Sequence, residues 1–191
     1  MTLSLDGYFE GENHDISWHN VDEETNKFAI EMLKEVDLFI FGRRIYQLME
    51  AAWPKAAEDP STSKDNMEIA RLINTTNKIV VSRTLDMVEE TKNWRNVRLM
   101  REFDAQEICR LKDQHGKNIS IGGSDLAVSF IKVGLIDEFR FMVNPVTIGT
   151  GTRIFHGLDS KLQLGLVKTR TFGSGNVLLT YRPTMDRKPP A

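Results

Sequence analysis

At 191 residues, 40% of them hydrophobic, the chain has the size of one globular domain, expected over 1–183 and able to bury roughly 70% of its unfolded surface. A formal net charge of −2 with dispersed basic residues excludes a nucleic-acid footprint and leaves a small molecule as the expected partner. A single cysteine excludes an internal disulfide, no apolar run nears the roughly 18 residues a bilayer demands, and MTLSLDGYFEG lacks the basic and apolar regions of a secretory signal; a cytoplasmic protein with no membrane partner is expected.

In chain order, Leu3 and Leu5 form a short strand that runs into an Asp6-Gly7 turn, and a polar loop over 10–20 follows with Trp18 inside it. Asp22 is placed as the N-cap of a helix carrying Glu23 and Glu24 in its first turn and Val21, Phe28, Met32, Leu33 and Val36 on one face. DLFIFGRRIY at 37–46 reads as a buried strand closing on Gly42, with Arg43 and Arg44 opening the next helix through Tyr46, Leu48 and Met49. Two cations in a first helical turn oppose the helix dipole, at about some tenths of a kcal/mol each. An anion seated among them would explain the pair.

The loop 54–64 leads to a helix over 65–74, with Met67, Ala70 and Ile73 inward, and NKIVVSRTL supplies a strand that ends in Ser82 and Arg83. A short strand near 97–100, a helix over 105–114 ended by Gly116, and a strand at 119–121 follow. Cys109 lies in that helix beside Ile108 and Leu111 and reads as a structural thiol. The strand stops at Gly122-Gly123, and Ser124-Asp125 start a helix whose apolar side is Leu126, Val128, Ile131 and Val133. Two glycines allow close backbone approach to a ligand, and a helix N-terminus offers unpaired N–H groups to phosphate, although the same pair also serves as ordinary turn chemistry.

Strand and helix alternate up to this point, which predicts a largely parallel sheet flanked by helices. The last third differs. EFRFMVNPV alternates Phe139, Phe141 and Val143 inward, while LGLVKTRT and NVLLTYR flank the hairpin turn FGSGN, so antiparallel strands finish the sheet. Gly149 and Gly151 mark a closely approached loop, and the tail over 184–191 has little to bury and is expected to be disordered.

Three strand ends thus carry anion-binding chemistry, and ligands of open α/β sheets gather beyond the carboxyl ends of strands. One polyphosphate ligand touching all three is the economical reading. His14, His19, His115 and His156 are scattered with no ligand spacing, so no metal is expected. No nucleophile elbow, phosphate-binding lysine loop or GxGxxG occurs. Were the ligand a pyridine dinucleotide, the protein would supply orientation and a proton, and Asp6, closing the first strand beside the Trp18 loop, is the best-placed acid. Asp-Gly is equally a common turn pair.

SLDGYFEG at 4–11, FGRRIY at 41–46, VVSRTL at 80–85, ISIGGSDLA at 119–127 and GLIDEFRFMVNPVTIGTGTRIF at 134–155 together resemble the bacterial deaminase-reductase family. Its members are similar to the reductase half of the bifunctional riboflavin-biosynthesis enzyme and, more distantly, to dihydrofolate reductase. The resemblance implies an α/β fold of the dihydrofolate reductase type: three layers, α-β-α, around a mixed, mostly parallel sheet with an antiparallel C-terminal hairpin. It implies NADPH across the strand ends, with Gly122, Gly123 and the backbone of Ser124, Asp125 and Leu126 at the pyrophosphate. Gly42, Arg43 and Arg44 match the family's Gly-Arg helix start, and Ser82 with Arg83 match the site of the adenosine 2′-phosphate, which a guanidinium meets bidentately. The implied activity is NADPH-dependent reduction of a flat nitrogen heterocycle by a homodimer, with Trp18 in a substrate loop; the alternative is a nucleotide-binding module without turnover. Only Met1, Thr2 and Leu3 precede Ser4, where the family has a full, central strand. Either the sequence begins upstream or the first strand is truncated.

Overall fold

A computed structural model describes residues 1–114 and 116–184; His115 and all but Thr184 of the expected disordered tail lie outside the described residues. The elements run β1 (Thr2–Ser4), β2 (Tyr8–Glu10), a 3-10 turn (Glu12–His14), α1 (Glu23–Lys34), β3 (Val36–Gly42), α2 (Arg43–Ala56), α3 (Lys64–Thr75) and β4 (Asn77–Val81). They continue with β5 (Val97–Met100), α4 (Ala105–Asp113), β6 (Asn118–Gly122), α5 (Ser124–Lys132), β7 (Phe139–Asn144), β8 (Thr152–Arg153), β9 (Leu164–Thr171) and β10 (Val177–Pro183). Two compact units result, Thr25–Ala127 and Met1–Glu24 with the chain from Val128. The expected α/β class holds, with one wholly parallel sheet and one dominated by antiparallel pairs.

In the unit Thr25–Ala127 the strand order is β5-β4-β3-β6, all parallel. β3 reads as a continuous apolar run because both its faces are covered: Phe39 and Phe41 stack 5.2 Å apart on one face, and Ile40 is fully buried on the other. Tyr46, Ile69, Ile73, Val80 and Trp94 complete the core with Phe39 and Phe41, and Ala29, Ile30, Leu33 and Val36 pack against it. The helices enter this core on much of the expected faces, with Tyr46, Ala70 and Ile73 buried and Leu33, Val36 and Met49 packed against it, but not on every expected residue. Val21, Leu48 and Met67 are exposed, whereas Thr25 of α1 and Ile69, Ala70, Ile73 and Asn74 of α3 are buried. α2 also runs through Pro54, which was expected to open a loop; Pro54 cannot donate to the carbonyl four residues earlier, and the helix ends two residues later at Ala56. Asp104 caps α4 by accepting the N–H groups of Gln106 at 2.9 Å and Glu107 at 3.1 Å, and that helix ends at Asp113 before reaching Gly116.

In the other unit the order is β1-β7-β10-β9, with β1 parallel to β7 and the remaining pairs antiparallel, while β2 and β8 form a separate pair. β1 spans three residues and lies at the edge of its sheet. Leu3 joins the core of Phe139, Phe141 and Ile154, but Leu5, expected in the strand, is exposed. The predicted hairpin closes with Phe172 N–H donating to Asn176 O at 2.9 Å and with Gly175 at φ +86°, a conformation that favours glycine. Among the described residues, no helix is long and apolar enough to cross a membrane.

Candidate functional site

Parallel register builds the site. Phe41 pairs with Gly122, Gly42 with Val81, and Val81 with Met100. The carboxyl ends of β3, β4 and β5 therefore finish level and β6 stops one residue short, so Gly123 lies level with Gly42 and the next step holds Arg43, Ser82 and Arg101. Three of these strand ends were expected. The fourth, Arg101, was not.

At β3, Gly42 stands at the N-cap of α2 with φ −71° and ψ 158°, and, being glycine, it offers no side-chain cap to the first turn. Every other α-helix carries an acid in its first turn: Glu23 and Glu24 in α1, Asp65 in α3, Glu107 in α4 and Asp125 in α5. α2 has none and begins with Arg43 and Arg44, both exposed. Its uncapped N–H groups, the positive end of its dipole and two guanidinium groups therefore share one sign.

The glycine pair at the end of β6 owes its residues to the fold. A Cβ on Gly122 would lie 2.7 Å from the Phe41 ring, and Gly123 sits at φ +111°, where other residues are strained. Turn geometry and packing thus account for the pair. A Cβ built on Gly123 would lie 3.8 Å from Gly42 N, so bare backbone from the β3 and β6 ends meets here. Ser124 and Leu126 are buried, and Asp125 is exposed. The backbone of this first turn of α5 is the part suited to an anion, because the Asp125 carboxylate would repel one.

At β4, Ser82 is buried, and its hydroxyl oxygen accepts the N–H groups of Thr84 at 3.3 Å and Leu85 at 3.0 Å. That commitment folds the chain after Arg83 into a tight turn. Arg83 is exposed and has no ion-pair partner among the described residues. Arg101, directly after β5, donates from Nη1 to Leu85 O and from Nη2 to Asp86 O at 2.7 Å, gripping the far side of the same turn. Sequence reasoning missed Arg101, although the signal was there: a cation follows VRLM just as Arg83 follows the strand before it.

Asp6 and Trp18 lie in the other unit. The Asp6 carboxylate accepts the N–H groups of Ile148 at 3.3 Å and Gly149 at 2.9 Å. The Ser4 hydroxyl, followed by these two amides, holds the Asp6 carboxyl below the usual carboxylate range. The Ser4 hydroxyl also lies 3.3 Å from Tyr8 O; its one proton serves one acceptor at a time, and the carboxylate is the stronger. Gly149 is held on its other side by Tyr8, whose hydroxyl donates to Gly149 O at 3.1 Å. Asp6 is built as an anchor of the 148–149 backbone, and an acid kept ionised is a poor proton donor at neutral pH.

Trp18 is half-buried, donates to Asp15 O at 3.1 Å and meets His19 edge-on at 4.5 Å. His14 contacts Glu10 at 3.1 Å, and His156 Nδ1 lies 2.8 Å from Arg153 O. Among the described residues, no group of three His, Cys, Asp or Glu side chains could hold a metal.

The backbone at the β3 and β6 ends and a helix start without an N-cap side chain could hold a pyrophosphate, and Arg83, without an ion pair among the described residues, could meet a further phosphate, a set that a pyridine dinucleotide would fit. The family model described as RibD C-terminal domain matches residues 1–178. The uncharacterized protein YyaP of Bacillus subtilis is 33% identical over 182 residues, covering 95% of this chain and 91% of that protein. The reductase-deaminase of Thermotoga maritima, titled a diaminohydroxyphosphoribosylaminopyrimidine deaminase and 5-amino-6-(5-phosphoribosylamino)uracil reductase, matches with a TM-score of 0.66 at 14% identity, over 95% of this chain and 54% of that one. Dihydrofolate reductase of Enterococcus faecalis, solved with NADP(H), matches with a TM-score of 0.58 at 16% identity, over 96% of this chain and 94% of its own.

Proposed function

The chain belongs to the RibD C-terminal domain family, and on that premise we propose that it is an NADPH-dependent reductase of a small nitrogen heterocycle, working in the cytoplasm as a homodimer. The observation that carries this reading is the row of strand ends in which Gly42, Arg43, Arg44, Ser82, Arg83 and Gly123 stand side by side. When bound, the nicotinamide would supply a hydride. The chain's own part is to hold and orient it: the first turns of α2 and α5 at the pyrophosphate, and Arg83 at the 2′-phosphate. A pyrimidine is the favoured substrate class, by likeness to the uracil reductase of Thermotoga maritima.

The test is a fluorescence titration with NADPH and NADH. NADPH should bind more tightly, and Arg83→Ala should weaken NADPH by about 10- to 100-fold, the worth of charge-assisted hydrogen bonds to one phosphate, while leaving NADH unchanged. Equal affinity for the two cofactors in the unaltered protein would sink the assignment.

A second reading has an observation in its favour. Asp6, held ionised and committed to Ile148 and Gly149, is a poor proton donor. A nucleotide-binding module without turnover would need none. Oxidation of NADPH in the presence of pyrimidines or pterins separates the two readings, and firm binding with no oxidation would favour the module.

A further inference from the structure

We infer that Arg101 is a specificity-determining positioning residue: by clamping the Ser82–Asp86 turn it fixes where Arg83 presents its guanidinium, and so sets the preference for a 2′-phosphorylated dinucleotide. The inference rests on the reading of Arg83 given above and extends it to a residue that need not touch the ligand.

Two strands meet at this turn. Ser82 N–H donates to Met100 O at 3.0 Å, continuing the β4–β5 ladder one step beyond Val81. The Ser82 hydroxyl then turns the chain by accepting from Thr84 and Leu85. Left there, the turn would be tied on its inner side only, with the carbonyls of Leu85 and Asp86 facing outward. Arg101 ties the outer side, and two nitrogens of one rigid fork span two successive carbonyls. Arg83, exposed like Thr84 and Asp86, therefore belongs to a turn tied by both Ser82 and Arg101.

The side chain of Arg101 has an unusual assignment. It is exposed and makes no ion pair with a described carboxylate; its recorded partners are the two neutral carbonyls. By contrast Arg98, three residues earlier, pairs with Glu107 at 3.2 Å, and Arg110 reaches the same carboxylate at 3.7 Å. The charge of Arg101 is left uncancelled beside Arg83. The geometry thus serves the same end twice, by orienting one guanidinium and by adding a second positive charge along the row. A lysine would keep the charge but present it as a point without the planar fork.

The experiment compares NADPH and NADH affinities by fluorescence titration in the unaltered protein and in the Arg101→Gln and Arg101→Lys variants, with circular dichroism as a fold check. The expected result is a ratio of NADH to NADPH dissociation constants that falls by about tenfold in Arg101→Gln, equal to about one net hydrogen bond. NADH affinity should stay within about twofold. In Arg101→Lys the ratio should be only partly restored. An unchanged ratio in Arg101→Gln, or an equal loss for both cofactors, overturns the positioning role. Full restoration by lysine also overturns it, since charge alone would then suffice. If the unaltered protein shows no preference, the NADPH reading itself fails, an outcome distinct from a preference that Arg101 does not control.

Discussion

Asp6 was attractive as an acid because a carboxylate ends the first strand beside an aromatic loop. Its surroundings give it different work. Two amides and a hydroxyl point at a group whose folded-state pKa is lowered, so the stability it lends is present above the ordinary aspartate range and is lost as pH falls through the lowered value. We expect Asp6→Asn to flatten the acid end of the stability curve, measured as Tm against pH from about 5 down to about 2. We also expect NADPH affinity to stay unchanged, because the Asp6 carboxylate is committed to the Ile148 and Gly149 amides. A variant that loses turnover while keeping the same acid profile would restore the catalytic reading. Nothing in SLDGYF announces which amides an aspartate will meet, since Ile148 and Gly149 are more than 140 positions away. The arginines were more legible. A cation at a helix start violates a local electrostatic preference, and that violation is visible in the sequence itself.

Among the elements, the junction of β6 and α5 shows that a glycine pair can be required by packing and turn geometry whatever ligand it also serves. Gly122 lacks a side chain because Phe41 occupies the space, and Gly123 because its φ is +111°. We therefore expect Gly123→Val to cost about 2 kcal/mol or more in stability, by strain before any ligand is considered. At this chain length that is a fall in Tm of about 4–8 °C. A scanning-calorimetry trace with unchanged Tm would show that the junction adapts, and the glycine would then matter for ligand access alone. Helix faces were legible in the main but not at every residue. Met67 and Leu48 belong to apolar stripes by spacing, yet both face solvent, because the residues that pack are chosen by which neighbours they meet. Lys78 in β4 is buried, with its ammonium donating to the carbonyls of Asn74, Thr76 and Arg95 and lying 4.5 Å from the Trp94 ring centre.

At the scale of the whole molecule, β9 bears on assembly. It is the edge of its sheet, eight residues long, and exposed from Leu166 to Thr171, with Leu166 59% and Val167 46% accessible. A long edge with apolar side chains is a template for pairing unless it is covered. We expect light scattering to give a dimer mass at micromolar concentration, and Val167→Lys to shift it toward monomer without loss of fold; a monomeric mass for the unaltered protein would count against the homodimer. The sequence by itself determined the α/β class and three of the four strand ends of the row, two of them cationic, because these depend on periodicity and on local rules for helix starts and turns. Only the tertiary structure decided which strand lies beside which, and with it the row. Gly42, Ser82, Arg101 and Gly123 are far apart in the chain and are made neighbours by the pairing of β3 with β4 and β6 and of β4 with β5. It also decided that Asp6 is an anchor and that Arg101 is a clamp. Both roles consist of hydrogen bonds to backbone, and a backbone amide or carbonyl carries no mark in the sequence of the side chain that will find it.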